Sequence, residues 1–316
     1  MDTTTAFDEG HLASGDGHMI WYAQYGRPDG IPLFWLHGGP GSGSSLRHLQ
    51  LLPLSRYRVV LADQRGCGRS LPAGSVERND TAHLVDDISR LRAHLRLGRI
   101  VLGGGSWGAA LALAYAAQHA ATLRALVLRA PFLAGGQEVE AFFQPPDSGS
   151  NEHWKEFAAL APASERRRLL PWLAQRLASA GREERARIAR GWRRYEQQRE
   201  GGGAAPEVAV DDALIARYRV QSHYLLHGCF IGREATLAAA RGLRDVPAAI
   251  LHGAGDLVCP ADNARMLRRC LPGSRLRIVN GAGHDPFHPG MATALAQALD
   301  CFDRRGSFTD WGRGHD

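Results

Sequence analysis

Three glycine-rich pieces of the chain carry polar side chains of the kinds that covalent acyl chemistry needs. Gly103-Gly104-Gly105-Ser106-Trp107-Gly108 fits G-x-S-x-G at Gly104, Ser106 and Gly108, between an apolar run and a run of small residues. A serine there sits on a tight strand-to-helix turn with strained backbone. Glycines two positions to either side remove clashes, and the following helix aims its dipole at a developing oxyanion. The plainer alternative is a glycine-rich turn around a capping serine, and the strand-then-helix context favours the nucleophile. A serine hydroxyl is weak by itself and needs a base oriented by a third group. In a sheet with such an elbow the order along the chain is Ser, acid, His. Asp256 ends His252-Gly253-Ala254-Gly255-Asp256 after the apolar run Ala248 to Leu251, and His284 ends Gly281-Ala282-Gly283-His284 after the next one. His284 is expected to pass the Ser106 proton to the leaving group while Asp256 holds its tautomer. Asp245 precedes its strand and Asp262 falls at a helix start. His288 follows His284 closely, and Asp285 reads as a turn residue before Pro286. Position favours Asp256 and His284 over these.

His37-Gly38-Gly39-Pro40-Gly41 follows the run Leu33 to Leu36. A glycine loop at a strand end lets backbone N–H groups approach a reacting carbonyl, so Gly39 N–H and Trp107 N–H form the expected oxyanion hole. His37 reads as a residue that pins this loop by hydrogen bonds, not as a second base. Glycine loops also cradle phosphates. The chain, however, has no G-x-x-x-x-G-K-[ST], no ribose-binding acid after Gly103–Gly108, no H-E-x-x-H and no Cys/His cluster. Hydrolysis without cofactor or metal is the consistent expectation.

The elements that must hold these residues follow from periodicity. Leu33–Leu36, Val59–Ala62, Ile100–Leu102 and Leu126–Leu128 are short apolar runs suited to buried parallel strands. Leu84, Ile88, Leu91 and Leu95 share one helix face, with Asn79, Asp80 and Thr81 ready to cap it. A helix from Ala109 to His119 follows the strand at Ile100. From Ala134 to Glu234 the patterns are helical, interrupted by a glycine loop at Gly201-Gly202-Gly203. Alternation then resumes with Ala248–Leu251, a helix over Ala261–Cys270, Leu276–Val279 and a helix over Met291–Phe302. The expected fold class is α/β, a mostly parallel sheet flanked by helices with an inserted all-helical cap. The expected divisions are core 1–133, cap 134–234, core 235–303 and a disordered tail 304–316.

The chain of 316 residues is 44% hydrophobic and 22% charged, the balance of a globular protein. A net charge of +6 raises the question of a nucleic-acid partner. The arginines are nevertheless dispersed and, from Arg182 to Glu200, interleaved with glutamates, which marks a solvated helix face; no nucleic-acid partner is expected. Five scattered cysteines without C-x-x-C form neither a disulfide framework nor a zinc site. With no signal peptide at Met1–Thr5 and no membrane-length apolar run, the expectation is a cytoplasmic protein acting on a small molecule or short peptide. The sequence sets no oligomeric state.

With Asp63-Gln64-Arg65-Gly66-Cys67-Gly68-Arg69-Ser70 added, these motifs resemble the proline iminopeptidase family of α/β-hydrolases. Its H-G-G-P-G, D-Q-R-G-x-G-R-S and G-G-S-W-G blocks occur here in order. Likeness is close over 17–132 and 246–289 and weaker through the cap. The resemblance implies removal of an N-terminal proline, with cap carboxylates binding the free imino group. One lies in a W-x-x-W-E segment, here Trp192-Arg193-Arg194-Tyr195-Glu196. The other lies in an R-I-E-x-H-Y-F segment, here Arg219-Val220-Gln221-Ser222-His223-Tyr224-Leu225. Glu196 matches and Gln221 replaces the second acid; Tyr195 and Tyr224 beside them are expected to contact substrate. Helical spacing puts Glu196 ~40° from Trp192, at the edge of the Ile188–Trp192–Tyr195 stripe. An exposed partner of Arg199 or Arg193 is the alternative role for Glu196. Losing one charge weakens amine binding. A weaker aminopeptidase therefore stands beside an esterase, thioesterase, amide hydrolase or acyltransferase, and beside a non-catalytic binding protein of the same fold.

Overall fold

The computed structural model describes residues 4–145, 149–200 and 211–311. Eight strands form one sheet: β1 (Asp8–Ala13), β2 (Met19–Gly26), β3 (Ile31–Leu36), β4 (Tyr57–Ala62), β5 (Ile100–Gly105), β6 (Leu123–Arg129), β7 (Ala248–Gly253) and β8 (Ser274–Val279). Their spatial order is β1-β2-β4-β3-β5-β6-β7-β8. From β4 to β8 every pairing is parallel, while β1 and β2 are antiparallel. The sequence reading had no strand at Asp8–Ala13, since its Asp, Glu and His suit an exposed edge better than a core. The central strands are Val, Leu and Ile runs because helices bury both of their faces.

One face is covered by α1 (Thr81–His94), α2 (Trp107–His119), α8 (Gly232–Gly242) and α9 (Ala261–Cys270). Asp80 caps α1 by accepting from His83 N–H, as its position suggested. Almost every residue of α2 is buried, because this alanine-rich helix lies between the sheet and α8. The other face packs on α10 (Pro289–Arg305) and on a 3₁₀ turn at Leu46–Leu51.

Between β6 and β7 lie α3 (Gly136–Phe143), α4 (Glu152–Ala158), α5 (Leu169–Ser179), α6 (Arg182–Arg199) and α7 (Asp212–Leu226). They bury their own cluster of Phe143, Phe157, Leu173, Leu177, Ile188 and Trp192. The division expected at 234 falls inside α8, which packs on α2 and α9. The glycine loop at Gly201–Gly203 lies outside the described residues.

The tail departs from expectation. Instead of ending in disorder at 304, α10 runs to Arg305, Gly306 caps it in a left-handed turn, and Phe308 and Trp311 bury themselves against the core. Two large aromatics in a Gly-rich stretch supply enough apolar area to hold it down; residues 312–316 lie outside the described set. No described helix is long and apolar enough to cross a membrane.

Candidate active site

The motif residues gather at the carboxyl ends of the parallel strands, where loops of such sheets converge. Ser106 follows β5, Gly39 follows β3, Asp256 follows β7 and His284 follows β8. Ser106 has φ 56°, a left-handed conformation rare for a side-chain-bearing residue, and it begins α2. Close packing explains the flanking glycines. A Cβ on Gly108 would stand 2.4 Å from Leu36 O, and one on Gly104 would stand 2.7 Å from Gly108 O. The helix can therefore lie directly on the strand ends, with Ser106 raised at its tip.

Asp256 and His284 meet as their positions required. His284 Nδ1 donates to Asp256 Oδ2 at 2.7 Å, and Asp256 Oδ1 accepts from Val258 and Cys259 N–H at 2.8 and 2.9 Å. Burial opposes ionisation of Asp256, yet hydrogen bonds from His252 and His284 hold its carboxyl far below the usual range. His252 is a partner that the sequence reading passed over. Its Nε2 lies 3.4 Å from Asp256 Oδ2 and 2.9 Å from Cys259 O. The hydroxyl of Ser106 faces a cavity of about 510 Å³ that His284 also lines, with Cys259 Sγ 4.0 Å away. Hydrogen bonds of such a hydroxyl to its base are often open without substrate. Of the competitors, Asp262 pairs with exposed Arg265, His288 caps α10 and Asp285 receives Phe287 N–H.

The glycine loop after β3 is locked by side chains. His37 Nε2 accepts from Gln64 N–H at 3.0 Å, so its proton sits on Nδ1 and goes to Gly38 O at 2.9 Å. Burial pushes its pKa down and keeps the ring neutral. Gln64 in turn donates to His37 O and accepts from Trp107 Nε1, which joins this loop to the serine turn. Asp63, fully buried, accepts from Ser44 N–H and from Arg69. Arg65 pairs with Asp87 and Asp16. The D-Q-R-G-C-G-R-S stretch is thus a brace for the loop that carries Gly39. Among the described residues no cluster of His, Cys, Asp or Glu suits a metal ion.

The roof comes from α6 and α7. Glu196 and Gln221 both line the cavity and bond each other, Gln221 Nε2 donating to Glu196 Oε1 at 2.5 Å. Arg217 and Tyr218 donate to Glu196 Oε2 at 3.0 and 2.8 Å. Neither partner was singled out from sequence, although Arg217, Tyr218 and Gln221 share one face of α7. The two tyrosines correct the expectation. Tyr195 stacks on Phe157 at 4.7 Å and donates to Phe142 O, inside the apolar cluster of the roof. Tyr224 packs on Trp107 and donates to Asn79 Oδ1 at 2.8 Å. Both are about 1% exposed, and neither lines the cavity over Ser106. Arg129 is another residue missed. Closing an apolar strand, it donates to His284 O at 2.9 Å from a buried position beneath the site. A lone arginine at the end of a buried strand was the available signal.

Comparison with known proteins agrees with this architecture. The family model for the alpha/beta hydrolase fold matches residues 31–290. Proline iminopeptidase of Xylella fastidiosa (strain Temecula1) is 37% identical over 310 residues, covering 94% of this chain and 97% of that protein. The Neisseria gonorrhoeae proline iminopeptidase is 35% identical over 300 residues, 93% and 96% of the two chains. A solved proline iminopeptidase-related protein from Thermus thermophilus, 22% identical, superposes with a TM-score of 0.59 over 94% of this chain and 98% of its own. An esterase from Exiguobacterium antarcticum, 20% identical, reaches 0.61 over 94% and 100%, a likeness of fold alone. By near-full-length identity to its relatives, this chain belongs to the proline iminopeptidase family of the α/β-hydrolase fold.

Proposed function

We propose that the chain is a serine aminopeptidase that releases an N-terminal prolyl residue from a short peptide or amide. One observation carries the reading: Ser106 opens onto the same cavity as His284, itself bonded to Asp256, and Glu196 stands in that cavity's wall. Ser106 Oγ attacks the carbonyl carbon while His284 Nε2 takes its proton. Gly39 and Trp107 N–H groups hold the oxygen's charge, and Asp256 stabilises the imidazolium. Collapse breaks the C–N bond as His284 hands its proton to the departing amine. Water then repeats the sequence on the acyl-enzyme and frees proline and Ser106.

Glu196 gives the substrate's imino group a carboxylate edge, and the cavity has room for a prolyl residue and the start of a leaving group. All five cysteines are free, which suits a reducing, cytoplasmic setting. The test is a rate panel of prolyl, alanyl and N-acetylprolyl arylamides beside simple aryl esters, with Ser106→Ala as control. The free prolyl arylamide is expected to lead, and Ser106→Ala to lower its kcat by about 10³-fold or more. Preference for blocked or simple ester substrates would replace this reading with that of an esterase.

A further inference from the structure

Four carboxylates line the cavity over Ser106: Glu138, Glu196, Glu200 and Asp285. The fold already uses three of them. Glu138 receives Gly135 N–H and the Asn263 amide, and Asp285 receives Phe287 N–H. Glu196 is ringed by Gln221, Tyr218 and Arg217, and the Arg217 guanidinium balances its charge. Glu200 is different. It stands one turn beyond Glu196, capping the C-terminal end of α6, and its carboxylate has no hydrogen-bond or ion-pair partner among the described residues. Its backbone carbonyl abuts Gly283, the neighbour of His284. A second acceptor is open nearby, because Gln221, only 5% exposed, has an unpartnered Oε1.

We infer that Glu200 supplies the counter-charge for the substrate's ammonium and sets the preference for a free secondary amine over an amine-free acyl group. The inference rests on the aminopeptidase reading above. Its basis is which carboxylate is left to pair. Glu196 is already ion-paired with Arg217, whereas Glu200 makes no such pair among the described residues, although Arg193 and Arg129 line the same cavity. A carboxylate without a direct partner gains most from an arriving ammonium. The secondary ammonium of an N-terminal proline has two N–H donors, which suits Glu200 on one side and the Glu196–Gln221 edge on the other. Burial and the neighbouring Glu196 push the Glu200 carboxyl up, against the opposing influence of Arg193, His284 and Arg217. A carboxylate raised in that way gains from an arriving cation.

The experiment compares proline p-nitroanilide with cyclopentanecarbonyl p-nitroanilide, a ring of the same size without the amine. Fluorophosphonate labelling of Ser106 counts folded sites in each variant. In Glu200→Gln the ratio of kcat/KM for the two substrates is expected to fall about 30-fold, chiefly through KM. Glu200→Asp should recover part of it. An unchanged ratio in Glu200→Gln, with the unsubstituted enzyme still preferring proline, overturns the inference and leaves the aminopeptidase reading standing. Preference of the unsubstituted enzyme for the cyclopentane substrate overturns both.

Discussion

At position 221, the amide of Gln221 donates to Glu196 in the wall of the cavity over Ser106. Because Gln221 donates to Glu196, Gln221→Glu exchanges a donor for an acceptor and sets two carboxylates within hydrogen-bond reach. They must share a proton, so the pair's folded-state pKa rises above that of a free glutamate, about 4.3. The folded state then binds more protons than the unfolded one, and stability falls as pH rises. Thermal melts should show Gln221→Glu about 1–3 kcal/mol less stable than the parent at pH 8 and closer to it at pH 5. Saturating proline should restore part of the loss at pH 8. An equal deficit at both pH values would count against a shared proton. On the proposed reading, Gln221→Glu also adds a carboxylate facing the substrate's amine, so prolyl-arylamide hydrolysis should rise while the empty enzyme becomes less stable.

Among the elements, α7 rests directly on the glycine loop after β3. A Cβ on Gly41, where φ is 91°, would stand 2.4 Å from Arg217 O. Gly41→Ala should thus move the roof and the loop together, at a cost of about 1–3 kcal/mol and a fall in kcat/KM of about 10- to 100-fold. Calorimetry and prolyl-arylamide kinetics measure the two effects, and a melting temperature equal to the parent's would contradict the contact. The elements of the core were legible because their signals are local: apolar runs, an Asp80 cap, glycines spaced around Ser106. Strands β1 and β2 were not: β1 is a polar edge strand without the apolar run that marks a buried one, and β2 mixes Gln24 and Gly26 into its apolar residues. The partners of Glu196 were hidden for a different reason. Arg217 and Tyr218 reach it from another helix, and nothing in the spacing of α6 announces them. Tyr195 was assigned to substrate through its neighbour Glu196, although its own place in the Ile188–Trp192 stripe already marked it as a core residue.

For the molecule as a whole, the segment from Ser307 to Trp311 belongs to the core and does not hang from it. Phe308 and Trp311 are 2% and 3% exposed, and Arg277 lies 5.1 Å over the Trp311 ring. Removing residues 307–316 should lower stability by about 2–4 kcal/mol, visible as a fall of several degrees in Tm. An unchanged Tm would return the segment to the status of a free tail.

The sheet edge and the roof also have separate places in the chain. Ser106, Gly39, Asp256 and His284 hang on strand ends, while Glu196, Glu200 and Gln221 sit on helices between β6 and β7. Polar bonds join the two parts, among them Arg199 to Leu257 O, His223 and Tyr224 to Asn79, and Asn263 to Glu138. On the proposed reading, bond-breaking and choice of acyl group are therefore written in different passages of the sequence. The contact of Arg217 O with Gly41 and of Tyr224 with Trp107 ties the two passages together, so a change in α7 reaches the loop and the serine turn as well as the cavity wall.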